Sequence, residues 1–323
     1  MFWLAKLFSV LPWVLCLGVA TAQAQGYPAK PVRVIVPFAP GGGADLVGRL
    51  LAQKLCAALG QPVVVDNRPG AGGRIGTEAV AKAPPDGHTL LLATGSVMVI
   101  APALYARLPF DMPRDFAPIS LVAATAYVLV VHPSVPVRSV KDFIELARRA
   151  PRKLTYASSG TGSHSHVAGE LLSATAKVGL IHVPYRGSLS GTFSVVAGET
   201  DSMFSNLLPA LPPLRSGRLR ALGVTSRETS TILPDVPVIA SVMPGFVVEQ
   251  LYALLAPTGT PREIVRILNA ETAKAMRAVD VRDKLLADGS EVAVSAPEEL
   301  EKRIVAEIAQ WSKVIKAAGI KGE

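Results

Sequence analysis

Short β-branched runs alternate with stretches of helical period along most of this 323-residue chain, and that alternation limits its fold more than any other feature. Residues 32–36, 63–66, 89–93, 127–132, 154–157, 181–183, 202–204 and 221–224 read as strands. Between them 44–59, 77–82, 140–149, 167–175 and 189–198 read as helices, and 262–278, 281–288 and 297–318 close the chain as three more. Strand–helix alternation predicts α/β layers around a mainly parallel sheet. Ser295, three residues before Glu298, has the spacing of a capping box for the last helix.

The most informative junction is Pro37–Arg49, PFAPGGGADLVGR. A buried strand precedes it, and Leu46, Val47, Leu50, Leu51 and Leu55 follow at helical spacing. Three glycines let the backbone turn sharply and let a ligand come close. The helix beyond presents unpaired N–H groups and a positive dipole end, which suits an anion such as a carboxylate. Neither a Gly-Lys-Ser/Thr nor a G-x-G-x-x-G pattern is present here, so no phosphate loop is expected. A second small-residue turn, Tyr156 to Ser163 (YASSGTGS), also stands between a strand and a helix, about 120 residues on. Two such turns predict two α/β domains facing each other across a ligand cleft. Crossovers at 117–126 and 233–246 give a discontinuous first domain, 25–124 with 240–323, and a second at 125–239.

Residues 1–24 have the features of a secretory leader. Lys6 precedes an apolar stretch of 13 residues, Leu7 to Val19, and Ala22-Gln23-Ala24 fits a cleavage site. Cys16 follows Leu15 inside the apolar run, which argues against lipid attachment. Removing the leader leaves 32 basic and 25 acidic residues, a net +7. The basic residues are scattered and aromatics are only 6% of the chain, so nucleic-acid binding is not expected. Cys56 would remain as a lone small hydrophobe on the first helix. His164 and His166 are two residues apart, but no further cluster completes a metal site, and no cofactor is expected.

The motifs taken together resemble a known family. YPAKPVRVIVPFAPGGGADLVGR, VVVDNRPGAGGRIGTEAVAKAPPDGHTLLLAT, YASSGTGS-x-x-H-x-AGELL, HVPYRG, LPDVPVIA, APTGTP and W-x-KVIKAAGIK occur in this order. The chain is similar, from about Tyr27 to its C-terminus, to the tripartite tricarboxylate transporter receptors, also called the Bug family of periplasmic solute-binding proteins. The resemblance implies a two-lobed periplasmic-binding-protein fold, a small organic carboxylate as ligand, a large and a small membrane transporter subunit as partners, and a monomer in the periplasm.

By the same resemblance, Phe38, Ala39, Gly41, Gly42 and Gly43 form the first carboxylate-binding turn, with Asp45 capping the helix. Ser158, Ser159, Thr161, Gly162 and Ser163 form the second, whose hydroxyls also suit helix capping. His166 falls at a family histidine with a structural or a ligand-donating role. Tyr185 and Arg186 match a Pro-Tyr-Lys/Arg-Gly element, Arg186 either pairing with a distal carboxylate or standing solvated on the rim. Asn206 follows Ser205 where relatives often carry Asp-Asn, and Leu251 replaces a common Trp, departures that favour an amine-free, more apolar acid. Thr94 and Ser96 end a strand on the ligand side of an α/β sheet. Arg68, in the Asn67–Gly73 turn, is a candidate anion partner, although that turn is expected mainly to shape the first lobe.

Two other functions fit the sequence less well. A ligand-presenting sensor would look the same. A secreted serine hydrolase would need Ser159 or Ser163 with His166, but no G-x-S-x-G elbow is present.

Overall fold

The computed structural model describes residues 26–151, 153–287 and 289–321, so the leader lies outside the described residues. β1 (Val32–Val36) places Val32, Val34, Ile35 and Val36 in the core. The chain then turns into α1 (Gly43–Leu59), which buries Val47, Leu50, Leu51 and Leu55 against the sheet. Each such side chain contributes about 1.5–3 kcal/mol through burial. Gly48 lets the helix lie close to the strand, since a methyl group there would stand 2.9 Å from Val36 Cγ2. Gly60 ends α1 in the left-handed conformation at φ 66°.

The next elements are β2 (Val63–Asn67), a 3-10 turn at Ala71–Gly73, α2 (Arg74–Ala81) and β3 (Thr89–Thr94). A π-type turn at Ser96–Ile100 leads through the short α3 (Ala101–Leu104) and α4 (Met112–Asp115) into β4 (Phe116–Val131). Then come α5 (Val140–Arg149), β5 (Thr155–Ser158), α6 (His164–Ala176), β6 (Ile181–Pro184), α7 (Ser188–Val196), β7 (Ser202–Asn206), α8 (Leu207–Arg215) and β8 (Arg220–Val224). A 3-10 turn at Ile239–Ser241 precedes β9 (Glu249–Pro257), α9 (Arg262–Arg277), α10 (Val279–Ala287), β10 (Ser290–Val292) and α11 (Pro297–Ala317).

The strands run β2-β1-β3-β9-β4-β7-β5-β6, with β10 and β8 also paired to β4. β1, β2 and β3 are parallel, as are β5, β6 and β7. The expected mainly parallel sheet therefore holds only for these two flanking sets. Between them β4 and β9 pair antiparallel, and β4 pairs antiparallel with β10, β7 and β8. The sixteen-residue β4 belongs to both halves: Phe116–Ala126 pair with β9, and Tyr127–Val131 with β7. The result is a mixed α/β, two-lobed fold.

Residues 117–126, the expected first crossover, form part of β4, which carries the chain through the junction. Two local expectations are corrected. Cys56 is exposed rather than buried, since it lies beside the apolar stripe of α1 and not on it. Ser295 does not cap α11, whose N-cap is Ala296. Ser295 Oγ instead accepts the Leu121 N–H at 3.0 Å, and Glu299 accepts the Ala296 N–H at 3.1 Å.

α5 carries a well-formed cap, with Ser139 Oγ accepting the Asp142 N–H at 3.1 Å. Ser139→Ala is expected to cost about 1 kcal/mol of stability. Urea denaturation checks this, and an unchanged midpoint would show that the cap contributes nothing.

Candidate functional site

The two parallel sets point their C-terminal ends at one another, the side on which open α/β sheets bind ligands. The turns after β1, β3, β5, β6 and β7 therefore meet. Between them lies a cavity of about 360 Å3 of empty space. Phe38, Ala39, Gly42, Gly43 and Ala44 form one wall, and Thr94 and Ser96 extend it. Ser159, Ser188 and Asn206 form the facing wall, and Tyr127, Gln250 and Tyr252 close the hinge end.

The lining contains no Asp, Glu, Lys, Arg or His. It is nevertheless well suited to an anion. Gly43 and Ala44 are the first two residues of α1, Ser188 is the first of α7, and Asn206 is the N-cap of α8. Three helix N-termini thus converge here, each with N–H groups that have no partner in their own helix. Among the described residues, Thr94 Oγ1 and Ser188 Oγ are buried without a hydrogen-bond partner, and both line the cavity. A buried polar group left unsatisfied costs about 1–3 kcal/mol, a cost that an incoming acceptor removes. Asn206 Nδ2 forms no bond of good geometry, although the amide lies beside the Tyr127 hydroxyl. That hydroxyl donates to Gln250 Oε1 at 2.6 Å. Burial pushes the Tyr127 phenol far up, so it stays neutral.

The first turn is held from behind. Asp45 Oδ2 accepts the Gly41 N–H at 3.1 Å and Arg49 Nε at 2.9 Å. Asn67 Nδ2 donates to Asp45 Oδ1 and to the Phe38 carbonyl, both at 3.0 Å. Burial opposes the Asp45 charge, but the bonds from Arg49, Gly41 and Asn67 outweigh it and hold its pKa below the usual carboxylate value. Arg68 is engaged elsewhere, with Nε 2.9 Å from Asp66 Oδ2.

The second turn is held by a serine and histidine cluster. Ser163 caps α6 by accepting the His166 N–H at 3.2 Å. Ser158 Oγ lies 2.6 Å from His182 Nε2 and accepts the Gly160 N–H at 3.1 Å. Ser159 N–H donates to Ser165 Oγ at 2.9 Å. His166 Nδ1 accepts the Gly162 N–H at 3.2 Å, and its ring stacks on His182 at 4.2 Å. His164 turns the other way: its Nδ1 lies 3.2 Å from Ser96 Oγ, which also accepts the His164 N–H at 3.0 Å. The two histidines face different partners, so they do not converge on one point.

The halves also approach closely at glycines. A methyl group added at Gly72 would collide with the Thr161 carbonyl oxygen, and one at Gly41 would stand 2.8 Å from Leu189 Cδ2. One at Gly187 would stand 3.6 Å from Ala39 Cβ, and one at Gly160 would stand 3.7 Å from Gly72 Cα. The Asn67–Gly73 turn thus does more than shape its own lobe, because its glycines meet the second turn. Outside these contacts lies a wider chamber of about 830 Å3 of empty space. Thr161, Tyr185 and Arg186 line it together with Gly70, Gly72, Arg74 and Pro184, and Phe38 and Ser159 border both spaces.

The sequence candidates therefore divide. Phe38, Ala39, Gly42, Gly43, Thr94, Ser96, Ser159 and Asn206 meet at the inner cavity. Thr161, Tyr185 and Arg186 line the outer chamber. Gly41, Ser158, Gly162, Ser163 and His166 line neither, and their polar groups are taken up within the turns.

Residues 47–320 match the family described as the tripartite tricarboxylate transporter family receptor. The chain belongs to this family of periplasmic solute-binding receptors. A UPF0065 protein from the tcbD-tcbE intergenic region of Pseudomonas sp. strain P51 is 42% identical over 307 residues, 93% of this chain and 91% of its own. BugT of Bordetella pertussis is 35% identical, covering 94% and 93%. Among solved structures, an R. palustris protein with adipate is 35% identical at a TM-score of 0.88, covering 91% of this chain and 99% of its own. MatC of Rhodopseudomonas palustris with bound malate is 34% identical at a TM-score of 0.85, covering 90% and 100%.

Within this receptor, Ala44, Tyr127, Ser188, Gln250 and Tyr252 line the cavity although sequence reasoning did not name them. Gln250 carried a usable signal. It is a polar residue at the head of a long apolar run, and it is 4% exposed.

Proposed function

We propose that this receptor closes its two lobes on a small organic carboxylate outside the cytoplasm and delivers it to the large and small subunits of a membrane transporter. The observation that carries this reading is the inner cavity, where three helix N-termini and two unpartnered hydroxyls face a space lined by no charged side chain. Such a site holds a carboxylate by fixed dipoles and donated hydrogen bonds, without a titrating partner. Relatives solved with adipate and malate support the ligand class. The lobe division at 25–124 with 240–323, and 125–239, is supported by β4, which changes partners from β9 to β7 between Ala126 and Tyr127. Ser159 and Ser163, the nucleophiles a hydrolase would need, are bonded to Ser165, and the His166 ring serves the Gly162 N–H.

A thermal-shift series tests the reading. Purified chain without its leader is refolded to strip solute and mixed with organic acids and their neutral amides. A fitting acid at a hundred times its Kd stabilises the native state by about 2.7 kcal/mol, which raises the melting temperature by about 5 °C. Shifts as large with the amides as with the acids would refute carboxylate recognition.

A further inference from the structure

The outer chamber differs from the inner cavity in charge. Two guanidinium groups, Arg74 and Arg186, line it, and no Asp or Glu does. Neither arginine forms an ion pair among the described residues. We propose that Arg74 and Arg186 form a second anion subsite astride the cleft, so that closure selects an elongated, amine-free diacid. This rests on the receptor reading above: one carboxylate occupies the neutral inner cavity, and the second lies between the two guanidinium groups.

Arg74 is already oriented for the task. Its Nε donates to the Ala71 carbonyl at 2.9 Å, and its guanidinium carbon lies 3.9 Å from the centre of the Tyr105 ring. The stem is thereby fixed, while the two terminal NH2 groups remain to donate to an oxyanion. Arg186, which follows β6, is exposed on the opposite wall. The two cations therefore sit on different lobes. Bringing them together without an anion raises their mutual repulsion, and an anion between them reverses its sign. A ligand with a second negative group thus favours the closed state over the open one by more than a monoacid does, which is the differential affinity that drives a conformational change.

The route between the spaces restricts the spacer. Phe38 and Ser159 border both, so the chain joining the two carboxylates passes between an aromatic ring and a hydroxyl. A linear or flat spacer fits that passage. Neither lining offers a carboxylate to an ammonium group, so amino acids lose hydration on binding without gaining a counter-charge.

Isothermal titration with matched probes tests the subsite: succinate with butyrate, adipate with hexanoate, and terephthalate with benzoate. These are measured on the wild type, Arg74→Gln, Arg186→Gln and the double variant. At least one diacid is expected to bind about a hundredfold more tightly than its monoacid. Each single variant should weaken that diacid tenfold or more while leaving the monoacid within threefold, and the double variant should abolish the preference. Arg74→Lys, which keeps the charge, should recover part of the loss, and unchanged melting temperatures would exclude misfolding. Equal binding of diacid and monoacid to the wild type, or diacid affinity unchanged in both arginine variants, overturns the subsite and leaves the receptor reading standing. No binding of any probe to the wild type overturns both.

Discussion

Gly42→Asp is expected to abolish carboxylate binding while leaving the fold as stable as before. Gly42 is the N-cap of α1, at φ −96° and ψ 173°, an extended conformation open to any residue. A β-carbon there meets nothing within 4 Å. Asp is among the best N-cap residues and complements the helix dipole, so the melting temperature should hold or rise slightly. The same carboxylate faces the inner cavity, which Gly42 lines. Two like charges about 4 Å apart at an effective dielectric constant near 20 repel by about 4 kcal/mol, roughly a thousandfold in affinity. Gly42→Asn has nearly the same shape and no charge, so it serves as the steric control. Its loss should stay below about thirtyfold, or about 2 kcal/mol. Equal losses in the two variants, read by titration with a bound acid, would remove the electrostatic argument.

Acid should destabilise the protein steeply well before its carboxylates are protonated. Burial pushes His164 down to about 3, and burial with the neighbouring His182 does the same to His166. His164 packs against Tyr127 and Trp311 and faces Ser96, with no carboxylate among these contacts. In the unfolded chain both histidines titrate near 6.5. Below that pH the unfolded state takes up protons that the folded state refuses. Stability is therefore fully present above about pH 6.5 and falls as the pH drops toward 3. At pH 5 each histidine contributes a loss of about 2 kcal/mol, or about 4 kcal/mol for the pair relative to pH 8. His182, pushed down to about 4 and only partly buried, adds less. Urea denaturation at the two pH values measures the difference, and a loss below about 1 kcal/mol would contradict the burial of both rings as neutral groups.

The flanking layers were legible because their signals are local. β1, the glycine turn and α1 follow one another within about 30 residues, and periodicity alone brings the expected helix within a residue of Gly43–Leu59. α5 is found at its true bounds, since a capping serine and a strong apolar stripe mark it. The centre was not legible. β9 and the first half of β4 are nearly continuous apolar runs, which periodicity cannot tell from buried helix. α8 contains Pro212 and Pro213, residues that disfavour a helix interior and so hide it from local pattern. The candidate site shows the same division. Both small-residue turns announce themselves as motifs, whereas Tyr127, Gln250 and Tyr252 reach the cavity only through antiparallel pairing across more than 100 residues. No local pattern records that pairing.

Where the two small-residue turns meet, Gly41, Gly72, Gly160 and Gly187 supply the close approach, each in or beside the lining of one of the two spaces. The approach of the turns and the lining of the spaces are therefore written in the same few loops: Gly187 stands between Arg186 and Ser188, and Gly72 lies two residues from Arg74. A lineage that varies its lining here is held to changes that leave the neighbouring glycines in place, because a side chain at those positions would push the turns apart.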